Sequence, residues 1–150
     1  MTGGTGAAKR VPAAQLAATM RGAITRLNRR LRQARPVSEL TQSQLSALTS
    51  LELAGALTPK ELADAERVQP PSVTRTVAVL EGRGLVQRTP HPSDGRQVIL
   101  APTEDGRAIV YADRKARDAW LARRLAELSP DERDTLRRAA EILERIARSS

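Results

Sequence analysis

The chain has no cysteine and no phenylalanine, one histidine (His91), one tyrosine (Tyr111), one tryptophan (Trp120) and only three lysines (Lys9, Lys60, Lys115). Without cysteine there is no disulfide, no thiolate nucleophile, no thiol redox switch and little scope for zinc. With one histidine, a Ser-His-Asp arrangement has only the Pro-flanked loop around His91, and a multi-histidine metal sensor is excluded. No apolar run approaches the ~20 residues of a membrane span. The opening "MTGGTGAAKR" has no apolar core of a secretion signal. A cytoplasmic protein with no cofactor, no metal and no membrane partner is expected. Lacking Phe, the core must come from Leu, Val, Ile and Ala, a composition that often closes its core by dimerising.

Arginine takes the place of lysine, 22 against three, and alanine is abundant, a bias of the kind GC-rich actinobacterial genomes produce. The net charge is +8, which suits an anionic partner such as nucleic acid. Its placement is uneven. Residues 1–35 hold eight basic residues and no acid, whereas 36–57 carry −2 and the stretches 58–103 and 104–150 carry +1 each.

Residues 1–10 are small, polar and Gly-rich, and are expected to be a disordered tail. "GGTGAAKR" lacks the spacing of a phosphate loop and follows no strand. Over 12–34, Leu16, Met20, Ile24, Leu27 and Leu31 form one helical stripe, with Arg21, Arg26, Arg29, Arg30 and Arg32 on the other faces. Pro36 stops this helix. "TQSQ" from Thr41 is a capping box that opens a second helix with Leu45, Leu48 and Leu51. "TPKE" from Thr58 opens a short third helix with Leu62 and Ala63, its proline at the first helical position. Pro70 and Pro71 open a fourth, with Val73, Val77 and Leu80 inward and Gly84 as its C-terminal stop.

Then the pattern changes. "VQRTPHPSDGRQVIL" (86–100) reads as two β-branched runs around a turn-rich loop, a hairpin in a chain that is otherwise helical. "TEDG" (103–106) starts a long helix whose stripe is Ile109, Ala112, Ala116, Trp120 and Leu125. "SPDE" (129–132) starts a last one with Leu136, Leu143 and Ile146. The fold class is therefore mainly α with one small β-hairpin.

Short helix, tight turn, helix and hairpin, in that order, make a winged helix-turn-helix. Such a helix enters the ~12 Å major groove and turns its N-terminal side chains to base edges. Ser72, Thr74, Arg75 and Thr76 are the short polar groups and the arginine available there. Arg88 and Arg96 flank the hairpin loop, where arginine suits the enhanced negative potential of a narrow minor groove. Asp94 beside Gly95 favours the turn, and its carboxylate is expected to steer a nearby arginine.

"LTQSQLSALTSL", "LTPKELA" and "PPSVTRTVAVLEGRGLVQRTPHPSDGRQVILAPTEDGR" together resemble the MarR family of bacterial transcription regulators. Residues 84–88 are similar to its first wing strand, Pro92, Asp94 and Arg96 to its wing-tip motif, and Leu100, Thr103 and Gly106 to its "L-x-x-T-x-x-G". The motifs span about residues 40–110. The resemblance implies a single domain over 11–150, with the winged unit at about 41–101 and dimerisation helices at about 12–34 and 104–148. It implies a homodimer on a pseudo-palindromic operator of double-stranded DNA, repressing or activating transcription, and a small effector, anionic or aromatic, that releases it. It places base reading on Ser72, Thr74 and Arg75, minor-groove contact on Arg96, and the fixing of the wing arginine on Asp94. Gly95 stands where many members carry a second basic residue, which leaves Arg96 more of the contact. Leu16, Met20, Ile24, Leu125, Leu136, Leu143 and Ile146 are the expected dimer interface.

Three readings remain beside one another: a sequence-specific dimeric regulator, an architectural DNA binder of low specificity, and a winged protein-interaction adaptor. The +8 of residues 1–35 favours the second, and the near-neutral winged stretch favours the third. An enzyme is least supported, since no nucleophile–base pair, metal cluster or phosphate cradle is visible. Tyr111 and Trp120 are expected in the core or an interface, and His91 on an exposed loop.

Overall fold

The computed structural model describes residues 11–36 and 39–149. The tail expected over 1–10 lies outside them. Contacts within the chain divide it into two units, one carrying α1 (Ala13–Gln33), the other running from Arg35 onward. Helix α1 has no buried residue, and Leu16, Ile24 and Leu27 of its stripe are exposed.

The second unit contains α2 (Gln42–Ala54), α3 (Pro59–Glu66), α4 (Pro70–Gly82), strands β1 (Val86–Pro90) and β2 (Val98–Pro102), α5 (Glu104–Ala126) and α6 (Pro130–Arg148). The helix starts follow the capping chemistry. Thr41 and Gln44, Thr58 and Glu61, and Ser129 and Glu132 each close a reciprocal box, side chain to backbone N–H in both directions. Each box satisfies two of the amide groups that a helix start leaves without partners.

The core is aliphatic, as the composition demands. Leu48, Leu51, Leu62, Val77, Leu80 and Leu100 are essentially sealed, joined by Leu45, Ala63, Val73, Leu85, Val86 and Val110. They come from α2, α3, α4, the hairpin and the start of α5, so the helix-turn-helix and its wing share one core. The strands pair antiparallel from Val86↔Pro102 to Pro90↔Val98. A third backbone segment joins them. Leu57 exchanges both hydrogen bonds with Leu100, at 3.0 and 2.7 Å. That pairing anchors the hairpin to the segment between α2 and α3, and no local pattern at Leu57 announced it.

Helix α5 departs from the expected stripe. Its buried residues are Gly106, Val110 and Asp113, with Ile109 only partly buried against the core and Ala112 exposed. The reason is a close approach at the helix start. Thr103 accepts from the Gly106 N–H (3.2 Å), donates its hydroxyl to the Gly84 carbonyl (2.6 Å), and its own N–H reaches Leu85 O (3.0 Å). This rotates α5 so that Gly106 meets the end of the α4 turn. Tyr111 is not in the core but exposed, and Trp120 is half-buried with the Arg124 guanidinium 5.6 Å above its ring. Helix α6 has no buried residue.

Candidate nucleic-acid interface

The order of elements around α4 builds a reading surface. Gln69 caps α4 and Pro70 and Pro71 occupy its first positions, where a missing N–H costs nothing. The turn before it is tight. Arg67, the cap of α3, sits in the left-handed region at φ 53°. Val73, Val77 and Leu80 then hold α4 on the core, which leaves Ser72, Thr74 and Arg75 exposed and Thr76 half-buried. The Thr74 hydroxyl donates to Pro70 O (3.1 Å), so it is oriented and keeps its lone pairs for an outside donor. Among the described residues Arg75 and Arg96 form no ion pair.

The wing is a seven-residue loop from His91 to Gln97. It is closed by His91 N–H to Gln97 O (2.9 Å) and Gln97 N–H to Asp94 O (3.0 Å). Asp94 acts on the loop backbone: Oδ1 accepts from the Arg96 N–H (3.1 Å) and Oδ2 from Gln97 Nε2 (3.4 Å). Its carboxylate thus holds the main chain at Arg96. The Arg96 side chain is left exposed at the loop's end. His91 is half-buried, its Nδ1 accepting from the Ser93 N–H (3.2 Å).

Arg88 is held differently from Arg96. Its Nε and Nη2 donate to the two carboxylate oxygens of Glu81, at 3.0 and 3.1 Å, a bidentate pair between β1 and the last turn of α4. The Arg88 hydrogen bond holds the Glu81 carboxyl below its ordinary value of 4.5, and the same bond raises Arg88. Arg88 keeps Nη1 for an outside acceptor, but its position is set by Glu81. Nothing in the sequence marks Glu81 for this role. Seven residues separate the partners across a helix end, and no repeat or spacing marks the pair.

A cleft of about 210 Å³ opens between the starts of α2 and α4. Gln42, Ser43, Ser46, Glu66, Ser72 and Thr76 supply its polar lining, over Ala47, Val68 and Val73. It too had no signature in the sequence.

The expected interface residues Leu136, Leu143 and Ile146 are exposed on α6 together with Ile142, and Leu125 is half-buried on α5. On α1, Leu16 and Ile24 are exposed and Met20 half-buried.

Residues 40–98, the helix-turn-helix and most of the wing, match the MarR family. An uncharacterised HTH-type transcriptional regulator of Mycobacterium bovis is 52% identical over 130 residues, covering 87% of this chain and 91% of that protein. The HTH-type transcriptional repressor MdtR of Bacillus subtilis is 32% identical over 111 residues, 74% of this chain and 70% of that one. A crystal structure of a transcriptional regulator protein from Pseudomonas aeruginosa superposes with a TM-score of 0.80 at 34% identity, over 91% of this chain and 97% of its own. The winged helix-turn-helix geometry and these relatives agree: the chain belongs to the MarR family of DNA-binding transcriptional regulators.

Proposed function

We propose that this regulator is a sequence-specific repressor that binds a pseudo-palindromic operator as a homodimer and is released by a small ligand. The observation that carries the reading is the division of α4. Val73, Val77 and Leu80 are locked in the core while Ser72, Thr74 and Arg75 stand exposed at the end that enters a groove. Arg96, free of ion pairs at the wing tip, is the proposed minor-groove contact, and Asp94 presents it through the backbone. Arg88 is a backbone-side contact braced by Glu81.

The dimer reading is supported by the exposed apolar positions Leu16, Ile24, Leu136, Leu143 and Ile146, with Met20 and Leu125 only half-buried. A two-fold dimer reads two copies of one half-site, hence the pseudo-palindrome. The cleft beside Ser72 and Thr76 is a seat from which a ligand would touch the reading helix. Its charged group is Glu66, with no cation in the lining, so an anionic effector would need a different seat.

Selection of genomic fragments by the purified protein at physiological salt tests the proposal. The expected result is an enriched pseudo-palindrome with half-sites about 10 bp apart. One specific observation favours a second reading, architectural binding: five arginines and no acid on α1. Equal and steeply salt-dependent binding to every sequence would establish that reading instead.

A further inference from the structure

One buried charge serves no part of this reading. Asp113 is 4% exposed, the only buried charged residue of the described chain. Its Oδ1 accepts from Arg35 Nε at 2.9 Å and its Oδ2 pairs with Arg117 Nη2 at 2.5 Å. Arg35 continues the chain of contacts, donating from Nη1 to the Gln42 side chain at 2.5 Å, on the first residue of α2. Arg117 Nε is buried with no partner. The carboxylate thus ties the segment before α2 to the middle of α5.

Its position along α5 gives the tie a mechanical meaning. Gly106, Val110 and Asp113 are the buried residues of that helix, and from Arg114 to Ala126 it buries none. Asp113 is the point at which α5 leaves the winged lobe. An apolar contact there would hold the helix without fixing its angle. A paired carboxylate has directional bonds, and a buried ion pair contributes little net stability beyond what apolar packing would supply. The remaining 13 residues of α5 form a lever about 20 Å long. A swing of about 10° at Asp113 would displace its end by about 3.4 Å, one base-pair step along a strand.

We infer that Asp113 is a positioning residue for operator reading: through Arg35 it fixes the angle between the winged lobe and the outer half of α5, with Arg117 holding its second oxygen one turn along the same helix, and so sets the spacing of half-sites the dimer accepts. The inference rests on the dimer reading above, with α5 and α6 as the joint between subunits. Asp113 touches no DNA and acts only through geometry.

The test is a set of operators built on the selected pseudo-palindrome, with one or two base pairs added or removed between half-sites. Each added pair turns one half-site by about 35° and shifts it by about 3.4 Å. The wild-type dimer is expected to lose on the order of tenfold affinity per base-pair change. Asp113→Asn should bind the native spacing less tightly and respond severalfold less to the changes. Arg35→Gln, which leaves Asp113 paired to Arg117, should flatten the profile in the same direction and serves if Asp113→Asn does not fold. A loss of stability alone lowers affinity for all spacings equally and cannot flatten the profile. Folded, dimeric variants with the wild-type spacing profile would overturn the inference. A wild-type protein that is monomeric, or that selects no paired site, would overturn the dimer reading itself, and is seen without any variant.

Discussion

Gly106 lies against the backbone of Leu85 with no room for a side chain. A Cβ on Gly106 would stand 2.2 Å from the Leu85 carbonyl oxygen and 3.2 Å from Leu48 Cδ1. The oxygen cannot turn away, because it accepts the Thr103 N–H at 3.0 Å. Gly106→Ala must therefore push α5 off the lobe. Overpacking of this kind costs about 1–3 kcal/mol, and the contact here is with backbone. Urea unfolding should show a lower midpoint; an unchanged midpoint would mean that the start of α5 adjusts freely.

Arg75 and Arg96 are exposed, so truncating them should leave the fold intact. Arg75→Ala should cost about 1–3 kcal/mol of operator binding and relax specificity at one base position, the signature of a lost bidentate base contact. Arg96→Ala should weaken binding most at A·T-rich flanks. Titration against the selected operator and single-base variants measures both. Wild-type affinity in either variant would remove that residue from the interface.

Glu81 offers a test whose sign discriminates. Removing a carboxylate near DNA should raise affinity if only charge matters. If Glu81 instead holds Arg88 in place through its two hydrogen bonds, Glu81→Ala should lower affinity despite the gain in positive charge. The comparison is made at fixed salt against Arg88→Ala. Tighter binding by Glu81→Ala would leave the brace without a role in recognition.

Helix α3 has only eight residues, and its start depends on Thr58 and Glu61. Thr58→Ala should destabilise the protein by about 1 kcal/mol. The Thr58 backbone amide, and next its side chain, hold the Glu61 carboxyl below 4.5; Ser129 does the same for Glu132, and Arg88 for Glu81. A folded pKa below the unfolded one means that the unfolded chain binds more protons in the interval between them. These three contributions are fully present above about pH 4.5 and are lost as pH falls through the depressed folded values. Thermal unfolding between pH 6 and 3 should show this fall. Glu61→Gln should make it shallower.

Arg67 occupies the left-handed region at φ 53°, where a side chain is disfavoured. Arg67→Gly should raise stability by about 0.5–1 kcal/mol, the relief at the turn exceeding the added freedom of the unfolded chain. Chemical denaturation measures it. A destabilised variant would show that the Arg67 side chain contributes contacts that outweigh the strain.

How much was legible in the sequence varied with the range of the interaction. The helix starts were legible because capping is local: Thr41 and Gln44, or Ser129 and Glu132, satisfy each other's amides within four residues. The reading helix was legible because Pro70 and Pro71 begin it and its inward positions Val73, Val77 and Leu80 recur at helical spacing. The hairpin was legible from its change of period within residues 86–100, and the second strand runs on to Pro102. On α5 the stripe residues Ile109, Ala116, Trp120 and Leu125 are half-buried, while the close approach at Gly106 turns Val110 and Asp113 fully inward. The wing arginines looked alike in the sequence and differ in the fold. Arg96 is left open, while Arg88 is held by a carboxylate on another element.

Composition and local chemistry alone determined that this chain is helical with one wing, that its core is aliphatic, and where each helix begins. Those features depend on interactions within a few residues, or on counts that no folding can alter. Only the tertiary structure decided that Leu57 pairs with Leu100, that Glu81 braces Arg88, and that Arg35 reaches Asp113 at the point where α5 leaves the lobe. Each joins groups whose separation along the chain carries no period, and which become neighbours only when α2, α4, the hairpin and α5 close on one core.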